Sequence, residues 1–190
     1  MFSFTKLATT ALTGLAALGF ASASYAAPTR TNVQEGSLSA HAVLVEAIER
    51  QGVDFVVNHE FCDENPDVMG FYSSQARVLV VCNDQYVKGE NENPQWTAND
   101  LDTLRHEAQH LIQDCMVGGL ADSRLHPVYR DPIGLAYSIL GGERMKGINS
   151  LYRQNGADNE TILLEWEAFS VAQMNVPLEQ SQDIARFCGA

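Results

Sequence analysis

Beyond its first 26 residues this chain has no long apolar run, so nothing after that point is a candidate to span a bilayer. Positive charge is scarce as well. Twelve Lys and Arg face 24 Asp and Glu, a formal net charge of -12 over 190 residues. A surface of that sign repels phosphate backbones, which argues against nucleic acid as a partner. There is no C-x-x-C pair, so a cysteine-based zinc site of the common spacing is excluded. Internal repeats and low-complexity tracts are also missing, which removes solenoid and fibrous classes. What remains is one domain's worth of ordinary globular sequence, long enough to bury a core of its own.

The N-terminus differs from the rest. "MFSFTK" holds one cation, Lys6, and no acid, and "LATTALTGLAALGFA" follows as an apolar stretch of small residues. That length suits a signal-peptide core and is short for a membrane span. Small residues then recur in "ASASYAAP", and the pair Ser24/Ala26 favours cleavage after Ala26, with Ala21/Ala23 as a second match. The expected organisation is a signal peptide over 1–26 and a single domain over 27–190. The mature chain would carry 11 basic and 24 acidic residues, net -13, and would be secreted or periplasmic, with no membrane contact after cleavage.

All four cysteines lie in that mature part. In an oxidising compartment an even count reads as two disulfides, with three possible connectivities. Cys62–Cys82 with Cys115–Cys188 is preferred, because the first pair brackets an expected hairpin and the second ties the C-terminus to a central helix.

The pattern along the chain predicts an α+β fold: a small antiparallel β-sheet, then a long helix, then a mainly helical C-terminal half. "GSLSAHAVLVEAIERQG" reads as a helix capped by Ser37 or Ser39 and ended by Gly52. Strands are expected over 53–58 and in "VMGFYSS" and "ARVLVVC", the last two paired through a turn near Ser74 and Gln75. A polar loop over 83–96 leads to Thr97, which with Asp100 resembles a capping box. A helix from about Ala98 to Met116 follows, stopping at Gly118 and Gly119. Asp131 with Pro132 marks the next helix start. "ERMKGINSLYRQNG" is expected to be helical, as is "DNETILLEWEAFSVAQMN", capped by Asp158. "SQDIARFC" forms a last short turn.

The long central helix carries "HEAQH". Residues four apart lie on one face of an α-helix, about 6 Å along its axis. His106 and His110 can therefore aim their imidazoles at one point and hold a zinc ion at about 2.0–2.1 Å each. Glu107 points to the side of that face, poorly placed as a ligand but within reach of a water on the metal. Leu101, Leu104, Ala108, Leu111, Ile112 and Cys115 form an apolar stripe beside these three, predicting a helix packed on one side and open to a cleft on the other. His41 and His59 have no partners at ligand spacing.

The motif in its context resembles the zincin metallopeptidases. Thr103 stands three before the first histidine, the variable positions Ala108 and Gln109 are uncharged, and Leu111-Ile112 follow the second histidine. Gln113 and Met116 stand where the metzincin continuation needs Gly and His, so the resemblance is to the gluzincin branch. That branch implies a third ligand, a glutamate on a later helix, in "ETILLEWEAFS". Glu165 is preferred because Ala168 follows it at the spacing seen in related families, although Phe169 stands where a polar residue is usual. Glu167 and, less so, Glu160 remain alternatives. The resemblance further implies that the sheet edge before the motif helix holds an extended peptide. It also calls for a donor to the oxyanion, for which His126, Tyr129, Tyr137 and Tyr152 are candidates.

The function so implied is that of an exported zinc-dependent peptidase acting on a peptide or protein. Zn2+ would be held by His106, His110 and Glu165, and its water activated by Glu107. The alternative is a disulfide-stapled exported binding protein, a non-catalytic relative with a structural metal or none.

Overall fold

The computed structural model describes residues 38–117, 120 and 124–189, and the backbone of 16–18. The signal peptide expected over 1–26 lies outside the described residues except for that short backbone segment. Ser37, Gly118 and Gly119, invoked above as helix signals, also lie outside them.

The architecture is α+β. After a 3-10 turn, Leu38–His41, the chain forms α1 (Ala42–Arg50) and β2 (Asp54–Val57). A short helix α2 (Glu60–Glu64) then leads to the hairpin β3 (Val68–Ser73) and β4 (Val78–Val81). Helices α3 (Ala98–Cys115), α4 (Pro132–Ile139), α5 (Gly141–Gln154), α6 (Asn159–Met174) and α7 (Pro177–Phe187) complete it. The three strands form a mixed sheet in the order β3-β4-β2, and Ala16–Leu18 (β1) pairs antiparallel with the outer edge of β3.

The sheet corrects the expectation of antiparallel pairing throughout. β3 and β4 are antiparallel, with Phe71 opposite Val80, but β2 runs parallel to β4, with Phe55 opposite Leu79. The reason is the unpredicted α2. His59 caps it by accepting from Phe61 N at 3.1 Å, and the helix carries the chain past the β4 position, so β3 returns on the far side. β4 is thereby central and covered on both faces: Leu79 and Val81 join the main core, and Val80 packs with Cys62 and Cys82.

The first helix also differs from expectation. Ser39 sits inside the 3-10 turn, and His41 takes the cap position without a side-chain cap bond. Gly52, at φ +72°, does end it, in the left-handed region that glycine enters without strain. The C-terminal turn is a full helix, because Pro177 supplies its first residue.

The main core joins Leu44 and Ile48 of α1, Tyr72, Leu79 and Val81 of the sheet, Leu104, Ala108, Leu111 and Ile112 of α3, and Ile184 of α7. Full burial of each Leu or Ile contributes about 1.5–3 kcal/mol. Cys115–Cys188 fastens the end of α3 to the end of α7, and Cys62–Cys82 fastens α2 to the end of β4. Two disulfides place the chain in an oxidising, extracellular-type environment. Among the described residues no helix is long and apolar enough to cross a membrane.

Candidate metal centre

Helix α3 is set by its cap. The Thr97 hydroxyl accepts from Asp100 N at 3.1 Å while the Asp100 carboxylate accepts from Thr97 N at 2.6 Å, a complete capping box. From that start the helix does not lie half in a cleft, as the apolar stripe alone suggested. Every residue from His106 to Cys115 is buried, because the sheet covers one side and α6 and α7 cover the rest. The polar residues among them are therefore committed to specific partners. Tyr72 donates its hydroxyl to Asp114 at 2.7 Å. That bond and burial, burial first, push the Tyr72 pKa far up.

His106 and His110 present their Nε2 atoms to each other at 3.1 Å. Glu165 reaches them from α6, with Oε2 at 3.1 Å from His106 Nε2 and Oε1 at 3.4 Å from His110 Nε2. The contact is one of charge and lone pairs, since neither carboxylate oxygen gains a hydrogen bond. Four ligands around a metal at about 2.0–2.1 Å lie about 3.3 Å from one another in a tetrahedron. The separations here, 3.1 Å between the imidazole nitrogens and 3.1 and 3.4 Å from them to different oxygens of Glu165, are close to that spacing. The group His106, His110 and Glu165 could hold a metal ion.

The surroundings ask for a cation. Both oxygens of Glu107, both of Glu165, His106 Nδ1 and the Tyr152 hydroxyl are buried without a hydrogen-bond partner. No lysine or arginine among the described residues hydrogen-bonds either carboxylate. An uncompensated buried carboxylate costs several kcal/mol, and two together cost more. A metal ion shared by His106, His110 and Glu165 could answer the buried charge. The donor set fits it.

Burial pushes the Glu107 carboxyl up to about 8, opposed by His110 and helped by the charge of Glu165. Burial likewise lowers His106, against the attraction of Glu165. For His110, burial alone would lower the pKa, but the Glu165 carboxylate outweighs it and raises it. Burial opposes ionisation of Glu165 too, yet the imidazoles, His110 foremost, hold it below the usual carboxylate range.

Glu167, the other acid of α6, does not join this group. Its carboxylate accepts from Gln109 Nε2 at 3.1 Å, Gln113 Nε2 at 3.0 Å, Val128 N at 3.0 Å and Tyr129 N at 2.9 Å. Glu160 is exposed at the helix start. Phe169, where a polar residue was usual, packs its ring on His106 at 4.3 Å between centroids. Of the candidate donors, Tyr137 is 68% exposed, and the Tyr129 side chain engages Asn175. Tyr152 of α5 is the one beside the cluster: burial raises its pKa well above the ordinary value, followed by the charges of Glu165 and then Glu107. His126 is joined to α3 through its backbone N–H, which donates to Gln113 O at 2.9 Å.

Sequence reasoning missed Gln109 and Gln113 as partners of this centre. Their signal was present: each lies three residues after a histidine of the motif, polar and on a helix otherwise apolar.

Gly70 sets the approach of the sheet. A Cβ there would lie 2.6 Å from both Thr103 Cγ2 and Val80 O, and 3.5 Å from Glu107 Cγ, so only glycine lets β3 close on α3 beside Glu107. A separate concavity of about 540 Å³, between Val57, Asn83 and Trp96, includes none of the cluster residues.

Fold and site together define an α+β protein with a buried His-His-Glu centre on two helices. The chain belongs to the family described as "Domain of unknown function (DUF8637)", whose profile matches residues 36–174 and so takes in β2 to β4 and the whole centre. No curated protein and no solved structure matches the chain.

Proposed function

We propose that this protein is an exported zinc-dependent peptidase of the gluzincin kind, made with the signal peptide 1–26. The observation that carries the reading is the triangle of His106 Nε2, His110 Nε2 and the Glu165 carboxylate, with the unpartnered Glu107 carboxylate alongside. Two imidazoles and one carboxylate suit zinc, and three protein ligands are the number a catalytic zinc keeps. When bound, such an ion supplies Lewis acidity, polarising a carbonyl and lowering the pKa of water.

The chain's own residues do the rest. Glu107 accepts the proton of the attacking water and delivers it to the leaving amine. Tyr152 donates its hydroxyl hydrogen to the carbonyl oxygen as charge develops there. β3 orients the substrate: Ala17 already pairs with Gly70 along its outer edge, and Gly70 is the residue packed over Glu107. An extended peptide on that edge, antiparallel to β3, passes the same point.

A second reading draws on the complete burial of His110, Glu107 and Glu165. It makes the chain an exported binding protein whose metal, if any, is structural. Metal analysis and a peptide-library assay of wild type and Glu107→Gln separate the two. The peptidase reading expects about one zinc per chain in both proteins, and a loss of about 10²–10⁴-fold in turnover in the variant. Zinc without turnover in wild type would support the second reading. Equal rates for both proteins would remove Glu107 from the mechanism.

A further inference from the structure

The two oxygens and one nitrogen around the Gln113 amide settle more than its own orientation. Its Nε2 lies 3.0 Å from the backbone carbonyl of Leu164 and 3.0 Å from Glu167 Oε1. A carbonyl oxygen only accepts, and Glu167 is itself already the acceptor for two backbone N–H groups, from Val128 and Tyr129. The Gln113 nitrogen is therefore fixed where it is, with both its hydrogens used. Its Oε1 is then the atom facing His110 Nδ1, at 2.7 Å. An amide oxygen cannot donate, so His110 Nδ1 must carry the hydrogen, and Nε2 is the nitrogen left facing His106 and Glu165.

We infer that Gln113 and Glu167 are positioning residues for His110: a relay from the loop amides of Val128 and Tyr129 through Glu167 and Gln113 selects the ring nitrogen that faces the metal centre. The relay explains why a second carboxylate stands two residues after Glu165 in so apolar a helix. Glu167 faces no ligand atom of the triangle; with the Leu164 carbonyl it gives the Gln113 nitrogen two acceptors and so holds the amide in one orientation. It also ties residues 124–131 to the metal centre, since the loop's N–H groups anchor the chain of bonds. Outer partners of this kind typically change metal affinity by about 10–100-fold. His106 has no such partner, as its Nδ1 is unbonded, so the two imidazoles are held by different means.

The consequence for affinity rests on the zinc reading above, whereas the placement of the proton does not. The experiment separates them. The mature protein is labelled with 15N-histidine and examined by NMR, metal-free and with one equivalent of zinc, as wild type and Gln113→Leu. In both states of the wild type, the His110 Nδ1–H is expected to be present and protected from exchange. Gln113→Leu is expected to lose that protection and to bind zinc about 10–100-fold more weakly in competition with a chelator. Leu fills nearly the same volume as Gln, so loss of the Nδ1–H signal is a change that a merely space-filling role would not give. A wild-type His110 with no hydrogen on Nδ1, or a Gln113→Leu variant with unchanged protection and zinc affinity, overturns the relay. A protected Nδ1–H in a wild type that takes up no zinc leaves the relay standing and removes the zinc reading.

Discussion

Helix α3 carries two parallel rows, His106 with His110 and Gln109 with Gln113, and each row faces one glutamate of α6. The two meetings could hardly differ more. Glu167 accepts four N–H hydrogens, two from the glutamines and two from loop backbone. Glu165 gains no such hydrogen and lies against the imidazole nitrogens, with Tyr152 beside it. A buried acid with its lone pairs filled is a structural part, since it has exchanged water for equivalent donors. A buried acid facing ring nitrogens at ligand spacing is one that could share a metal ion with them. The comparison assigns different work to two residues that composition and burial alone cannot tell apart.

The contrast can be broken at either end. The largest effect is expected from Glu165→Ala. Zinc at about 1,000 times its dissociation constant should stabilise the wild type by about 4 kcal/mol, and thermal unfolding with and without zinc should show that increment vanish in the variant. An undiminished zinc increment would mean that the metal sits elsewhere. Next comes Glu167→Gln, which replaces an acceptor oxygen by an NH2 group aimed at other N–H groups. It should cost about 3 kcal/mol, or roughly 6–12 °C in Tm, whether or not zinc is present. A variant as stable as wild type would show that the four bonds carry no net weight. The smallest effect sharpens the comparison from outside both rows. Thr97→Ala removes the cap of the same helix and should cost about 1 kcal/mol. Its zinc increment should stay at the wild-type value, and a loss there would mean that the rows respond to any loosening of α3.

Much of the layout was legible in the residues. Thr97 with Asp100, Asp131 with Pro132 and Asp158 each mark a helix start by local chemistry, and each helix starts there. The pairing of four cysteines followed from which elements they flank. What failed to show was non-local. α2 is five residues long, with a histidine cap that the turn-rich "CDENPD" concealed, and the parallel placement of β2 depends on it. The apolar stripe on α3 correctly marked a packed face, but gave no sign that α6 and α7 would cover the others.

Sequence alone determined that two imidazoles share one helix face, because a spacing of four is a property of the helix itself. It likewise determined that a pair of acids lies on a later apolar helix. Which acid meets the histidines was a tertiary decision. Residues two apart on a helix point about 200° away from each other, so the rotation of α6 against α3 admits only one of them. That rotation is set by packing between segments more than fifty residues apart, where Gln109 and Gln113 bond Glu167. The orientation of His110 was decided in the same place, since the hydrogen on its ring follows from an amide that only the folded chain holds still.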